Sequence, residues 1–153
     1  MTAPAHTIKL IDIVRAAKLQ KNVGLFVDAI PYAKFLGISA QEEDGALIAT
    51  LAFRPSNIGN PVLPAIHGGV VGAFMETVAI LQLLWMQESV TVPKTITITI
   101  DYLRTAGPVD TFGKAIVTKL GSRVANVRAV AWQADPDKPV AGANGNFLVT
   151  PGE

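Results

Sequence analysis

The chain has 153 residues, no cysteine and a formal net charge of +1, a length that suits one domain of the usual ~100–200 residues. Disulfides and thiol chemistry are excluded. The 13 lysines and arginines are scattered, which leaves no basic stripe for nucleic acid. Half of the residues are apolar and 16% charged, against about 25% charged in ordinary domains; the shortage of charge points to a surface partly covered by another subunit.

The N-terminus, Met1 to Thr7, lacks the basic and apolar regions of a signal peptide, so the expected location is the cytoplasm. Thr7 to Gln20 carries a helical stripe of Ile8, Ile11, Val14 and Ala17 after a threonine cap. A second helical piece, Val23 to Ile30, stops at Pro31. Phe35 to Glu42 and Ala46 to Phe53 read as two strands around the turn Glu43-Asp44-Gly45. Arg54 to Pro64 reads as a loop punctuated by prolines and a glycine.

A long helix is expected over about Val70 to Gln87. Its apolar stretch is interrupted by Glu76 and Gln82, and a membrane span needs about 20 mostly apolar residues, so a buried helix is expected and no membrane. Beyond Pro93 the period changes to two: Thr95 to Ile100 alternates strictly. Phe112 to Leu120, Arg123 to Ala134 and Val140 to Thr150 supply three more strands. Consecutive strands joined by short turns imply an antiparallel sheet, and the long helix is the only element able to cover its apolar face. The fold class is α+β, with residues 1–34 a helical segment packed on a sheet-and-helix domain of residues 35–153.

Glu76 is the most informative residue, because it stands mid-helix among Phe74, Met75, Val78 and Ile80. A carboxylate in apolar surroundings is costly without a partner. Its alternatives are an ion pair with a lysine or arginine, an outward-facing side chain, or chemistry. His67-Gly68-Gly69 lies directly before this helix. Two glycines permit close approach of a ligand or backbone, and the free N–H groups of a first helical turn suit a developing oxyanion. The plain alternative is a loop-to-helix turn of unusual dihedrals.

His-Gly-Gly followed by a carboxylate seven residues after the second glycine, inside a helix wrapped by strands, resembles the hotdog-fold thioesterases. The similarity is to the phenylacetate-degradation (PaaI-like) branch, which includes a class of 4-hydroxybenzoyl-CoA thioesterases. It also draws on Ile58 to Gly69, on Thr99 to Arg104 and on Gly121-Ser122-Arg123, and covers about Phe35 to Thr150. The resemblance implies a hotdog fold, an antiparallel sheet wrapped around a long central helix, and an acyl-CoA thioesterase that splits the thioester of an acyl-CoA or acyl carrier.

Carried over by position, Glu76 is the catalytic carboxylate, as general base or nucleophile. Gly68 donates the oxyanion N–H, Asn60 helps to hold the thioester carbonyl, and His67 orients the loop. Thr95 matches a hydroxyl that positions the attacking water. Gly69 lies against the substrate, and Arg104 and Arg123 are expected phosphate contacts, a guanidinium fork suiting phosphate. Tyr102, Trp85 and Trp132 are expected to pack. The chain departs from relatives where Asn60 stands one residue further from the histidine, where Ile80 replaces a threonine, and where Thr105 replaces the proline after Arg104.

No cofactor is expected, coenzyme A being part of the substrate. No metal is expected either, since two histidines without ligand spacing do not make a zinc site. Gly68 and Glu76 are eight residues apart, about 12 Å along a helix, yet both must reach one carbonyl carbon within about 3–3.5 Å. Two helices meeting antiparallel across a two-fold axis satisfy this, so a homodimer is expected, with pairing into a homotetramer left open. The competing readings are a hotdog module that binds acyl chains without turnover and, more remotely, a hotdog hydratase, which needs a histidine downstream of the acid that this chain lacks.

Overall fold

The structure, a computed structural model, describes residues 9–88 and 90–150; the expected cap at Thr7 lies outside them. Helix α1 (Leu10–Gln20) buries Val14 and Ala17. It docks against the far end of the long helix, where Lys18 Nζ donates to the Gln87 carbonyl. Burial there lowers the Lys18 pKa, with Glu88 acting in the opposite sense.

The next segment corrects two expectations. The helix read over Val23 to Ile30 is the short α2 (Gly24–Asp28), and Pro31 opens a further helix, α3 (Pro31–Leu36), instead of only ending one. Proline at the first helical position gives up an N–H that has no partner there anyway. Phe35 and Leu36 therefore belong to a helix and not to the first strand. Gly37, at φ 81°, caps α3 in the left-handed conformation, and β1 (Ile38–Glu43) follows it.

Strand β1 pairs antiparallel with β2 (Ala46–Leu51), with Glu43 opposite Ala46. The two-residue link has positive φ at both Asp44 (51°) and Gly45 (81°), the primed turn that an Asp-Gly pair favours. The stretch expected as a loop contains a short two-stranded sheet, β3 (Ile58–Asn60) against β4 (Ala65–Ile66). Helix α4 (Gly68–Met86) starts two residues earlier than expected and includes both glycines. After it come β5 (Lys94–Tyr102), β6 (Thr111–Leu120), β7 (Val124–Trp132) and β8 (Ala141–Leu148).

The six longer strands form one antiparallel sheet in the order β1-β2-β6-β7-β8-β5. Helix α4 carries the chain from β2 across the sheet to the far edge, where β5 lies, and the chain then returns to place β6 beside β2. By length and composition α4 could cross a membrane; here its Phe74, Met75, Val78 and Leu81 are buried in the core. Val14, Phe26 and Ala33 join the same core as α4 and Phe147, so the N-terminal helices and the sheet share one interior. This is the hotdog fold, a sheet wrapped around a central helix. Trp85 and Trp132 pack as expected, on Phe26 and Phe112, and Trp85 Nε1 also donates to Glu42.

Strand β5 departs from strict alternation. Thr95 pairs with Phe147 and Thr97 with Asn146, so Ile96 is an extra residue without its own partner. The bulge moves Thr95 into phase with Ile98, Ile100 and Tyr102, opposite the inward-facing Phe147, Gly145, Ala143 and Ala141. Ile96 is left 53% exposed. One inserted residue thus turns a threonine hydroxyl toward α4.

Candidate active site

Helix α4 buries one side in the core and leaves a stripe through Gly72, Ala73, Glu76 and Ile80 partly open, positions that share a helix face. The expectation of burial all round is corrected accordingly. Glu76 is half-buried, and its Oε1 accepts from Thr95 Oγ1 at 2.5 Å. No lysine or arginine among the described residues pairs with it. A carboxylate bonded to a hydroxyl through one oxygen is held in place and keeps the other oxygen free.

At the start of the helix, His67 is the cap: its Nδ1 accepts from the Gly69 N–H at 2.9 Å, and its own N–H donates to the Asn57 carbonyl at 2.8 Å. With Nδ1 accepting, the neutral ring carries its proton on Nε2. Among the described residues the Gly68 N–H has no acceptor. Gly69 is different: its N–H is committed to His67, which removes it from the donors open to a substrate.

Tyr102, expected only to pack, reaches this turn from β5. Its hydroxyl donates to the Gly68 carbonyl at 2.7 Å, and its ring leaves no ample room for a side chain, since a Cβ at Gly68 would lie 3.3 Å from it. Gly68 sits where the Tyr102 ring approaches the helix, and Gly69 where the His67 ring does. Sequence reasoning missed Tyr102 because the contact spans 34 residues; the only local sign was an aromatic at the end of an alternating strand.

A cavity of about 440 Å³ opens beside Gly68, lined by Leu63, Val71, Tyr102, Leu103 and Arg104 among others. The link from β5 to β6 forms one wall. It is held by Leu103 and Arg104 N–H groups donating to the Val140 carbonyl and by the Ala106 carbonyl accepting from Ile66. Arg104 itself donates from Nη1 to the Pro139 carbonyl at 2.9 Å, which leaves the rest of its fork toward the cavity.

Asn60 and Arg104 stand away from Glu76 within one chain. Asn60 is exposed, and its Oδ1 accepts from the Val62 and Leu63 N–H groups at 3.0 and 3.3 Å. The carboxamide oxygen thus shapes its own turn before Pro64, and the Nδ2 donors, the atoms suited to holding a carbonyl, take no part in that turn. Arg104 and Arg123 do not meet within one chain. Arg104 follows Tyr102, level with Ala131 of β7, whereas Arg123 precedes Val124 at the other end of that strand. At about 3.4 Å per residue, the length of β7 between them exceeds 20 Å.

Two half-sites result. Gly68, His67, Tyr102 and Arg104 cluster at one end of β5; Glu76 and Thr95 lie at the other, near the turn bearing Arg123. The 19-residue helix α4 links the two through Gly68 and Glu76. A hydrogen bond from β5 reaches each of them, Thr95 to Glu76 and Tyr102 to Gly68, so both lie along the sheet edge that β5 forms.

The thioesterase superfamily model matches residues 63–140, a span running from the cavity wall through α4, β5, β6 and β7. A Chromobacterium violaceum protein of known structure is 38% identical, covers 92% of this chain and 98% of its own, and superposes with a TM-score of 0.75. A phenylacetic acid degradation-related protein of Ralstonia eutropha JMP134 is 26% identical over 78% of this chain and 91% of its own, at a TM-score of 0.69. A Bacillus halodurans protein solved with CoA shares the fold at 20% identity, covering 99% of this chain and 98% of its own, with a TM-score of 0.71. No curated protein matches the chain. The chain belongs to the thioesterase superfamily.

Proposed function

We propose that this protein hydrolyses the thioester of an acyl-CoA, or of a similar acyl carrier, to the free acid and thiol, as a homodimer whose sites are each built from two chains. The observation that carries the reading is the Glu76–Thr95 pair: a half-buried carboxylate with no cationic partner among the described residues, held by a hydroxyl at 2.5 Å. A structural ion pair, the plain alternative, has no counter-ion to form it.

In this reading Glu76 takes a proton from water while the water oxygen attacks the thioester carbon. The Thr95 hydroxyl donates to the carboxylate, and its lone pairs receive the same water. The carbonyl oxygen becomes an oxyanion, which accepts from the Gly68 N–H at the positive end of α4. Collapse of the tetrahedral species breaks the C–S bond, and the leaving thiolate takes the proton held by Glu76. No cofactor or metal enters these steps.

The dimer follows from distance. Gly68 and Glu76 stand about 12 Å apart along α4, too far to serve one carbonyl. The nine-residue edge strand β5 is paired with β8 on one side and open on the other, with exposed Ile96 and Leu103 beside it, a surface that favours pairing with another strand. If two copies of β5 pair antiparallel about a two-fold axis near Ile98, the Tyr102 end of one lies beside the Lys94–Thr95 end of the other. That arrangement brings Gly68 and Arg104 of one subunit to Glu76 and Arg123 of the second. Arg104 and Arg123, apart in one chain, then converge on one carrier. The CoA bound by the Bacillus halodurans relative supports coenzyme A as that carrier, and a cytoplasmic location goes with such a substrate.

The test is thiol release across short, medium, long and aromatic acyl-CoAs. Turnover of at least one class, lost in Glu76→Gln, is expected. Binding of acyl-CoA without turnover of any class would replace the reading with a non-catalytic acyl-binding module.

A further inference from the structure

Two adjacent glycines give the backbone more freedom than any other pair of residues. Yet an oxyanion donor works by being aimed before charge develops. At Gly68 and Gly69 these demands conflict, and the structure resolves them by holding the peptide between the two glycines on both sides. Its N–H donates to His67 Nδ1 at 2.9 Å, and its carbonyl accepts from the Tyr102 hydroxyl at 2.7 Å. His67 is itself tied to Asn57 through its main-chain N–H.

Packing reinforces the hold. A Cβ at Gly68 would meet the Tyr102 ring at 3.3 Å, and one at Gly72 would lie 3.5 Å from its hydroxyl. The contact at Gly68 is tight and that at Gly72 ordinary, so the tyrosine lies against the turn, and its hydroxyl restores rigidity that the glycines remove. Tyr102 is 57% exposed at the end of an edge strand, so its burial contributes little to the core.

We infer that Tyr102 is a positioning residue, which together with His67 clamps the Gly68–Gly69 peptide and so fixes the direction of the free Gly68 N–H. What that N–H serves rests on the thioester-hydrolysis reading; the clamp itself does not. Strand β5 thereby sets both halves of the chemistry, the acid through Thr95 and the donor through Tyr102.

The experiment uses Tyr102→Phe in the whole chain, which keeps the ring against Gly68 and deletes only the hydroxyl. Two quantities are read: steady-state turnover of the best thioester, and amide hydrogen exchange of Gly69 by NMR. Loss of one neutral hydrogen bond should lower kcat about three- to tenfold with KM within about twofold. The Gly69 amide should exchange about threefold faster or more as its peptide loosens. In His67→Ala, where the other side of the clamp is already gone, adding Tyr102→Phe should cost less than it does alone, because residues sharing one restraint are not additive. The inference requires both the kcat loss and the faster exchange; either one without the other overturns it, as does a fall in kcat matched by a rise in KM. If the wild-type protein releases thiol from no thioester, the hydrolysis reading fails, and Gly69 exchange, which needs no substrate, still decides the clamp.

Discussion

The two half-sites on α4 are held by different means. Glu76 depends on a side-chain bond to Thr95, made possible by the bulge at Ile96. The turn at Gly68 depends on main-chain groups, with side chains serving only to restrain them. A side-chain acid can be removed by one ordinary substitution. A backbone donor survives most substitutions and is reached only by proline or by loosening what holds it. Despite this difference both are tethered to β5, the edge strand of the sheet.

The largest effect should come from the side-chain half. Glu76→Gln keeps the shape and removes the base, and turnover should fall by at least about 10²-fold with the thermal midpoint nearly unchanged. Turnover near the wild-type level would show that the acid half is not catalytic and that its hydroxyl contact is structural.

A smaller effect is expected from Thr95→Val, which keeps the branched shape but deletes the donor to Glu76. A hydrogen bond to a charged group contributes about 1.5–3 kcal/mol, so kcat should fall about 10- to 100-fold, less than in Glu76→Gln. A loss confined to KM would mean that Thr95 meets substrate instead of tuning the acid.

The smallest effect tests the pairing of the two ends. Arg104→Ala and Arg123→Ala should each raise KM for a CoA thioester several-fold, leave kcat within about twofold, and spare a truncated thioester lacking the nucleotide, the pattern of binding shared by ground and transition states. If only Arg104→Ala behaves so, carrier contacts come from one subunit and the convergence of the two arginines is wrong.

What the sequence revealed, and what it hid, divides along the same line. His67-Gly68-Gly69 and Glu76 were legible because they lie within ten residues on one helix, where spacing converts directly to geometry. The six strands were legible from their alternation and turns. The bulge at Ile96 was not, because Thr95 to Ile100 alternates without fault and the extra residue appears only when β5 is set against β8. Tyr102 and the separation of the two arginines were hidden for a related reason: both depend on strand order and register. Pro31 misled because the same residue can end one helix and begin the next. Asn60 was placed by resemblance alone; that its oxygen caps the turn at Val62 and Leu63 depends on loop geometry that spacing does not carry.

The shared site itself is tested most directly by complementation between two inactive variants. One is Glu76→Ala. The other is Gly68→Pro, which deletes the donor N–H at the first helical position, where proline is best tolerated. His67, at ψ 132°, already has the extended conformation that a following proline demands, and a Cβ at Gly68 would ask Tyr102 to yield only a few tenths of an ångström. Folding of each variant is checked by its thermal midpoint. Mixed in equal amounts and allowed to exchange subunits, about half the dimers become mixed under two-fold symmetry. Each mixed dimer then has one intact site and one doubly damaged site, so thiol release should recover to about a quarter of the wild-type rate. If mixed dimers are confirmed by differential tags and no activity returns, Gly68 and Glu76 do not act across the interface, and the composite site is contradicted.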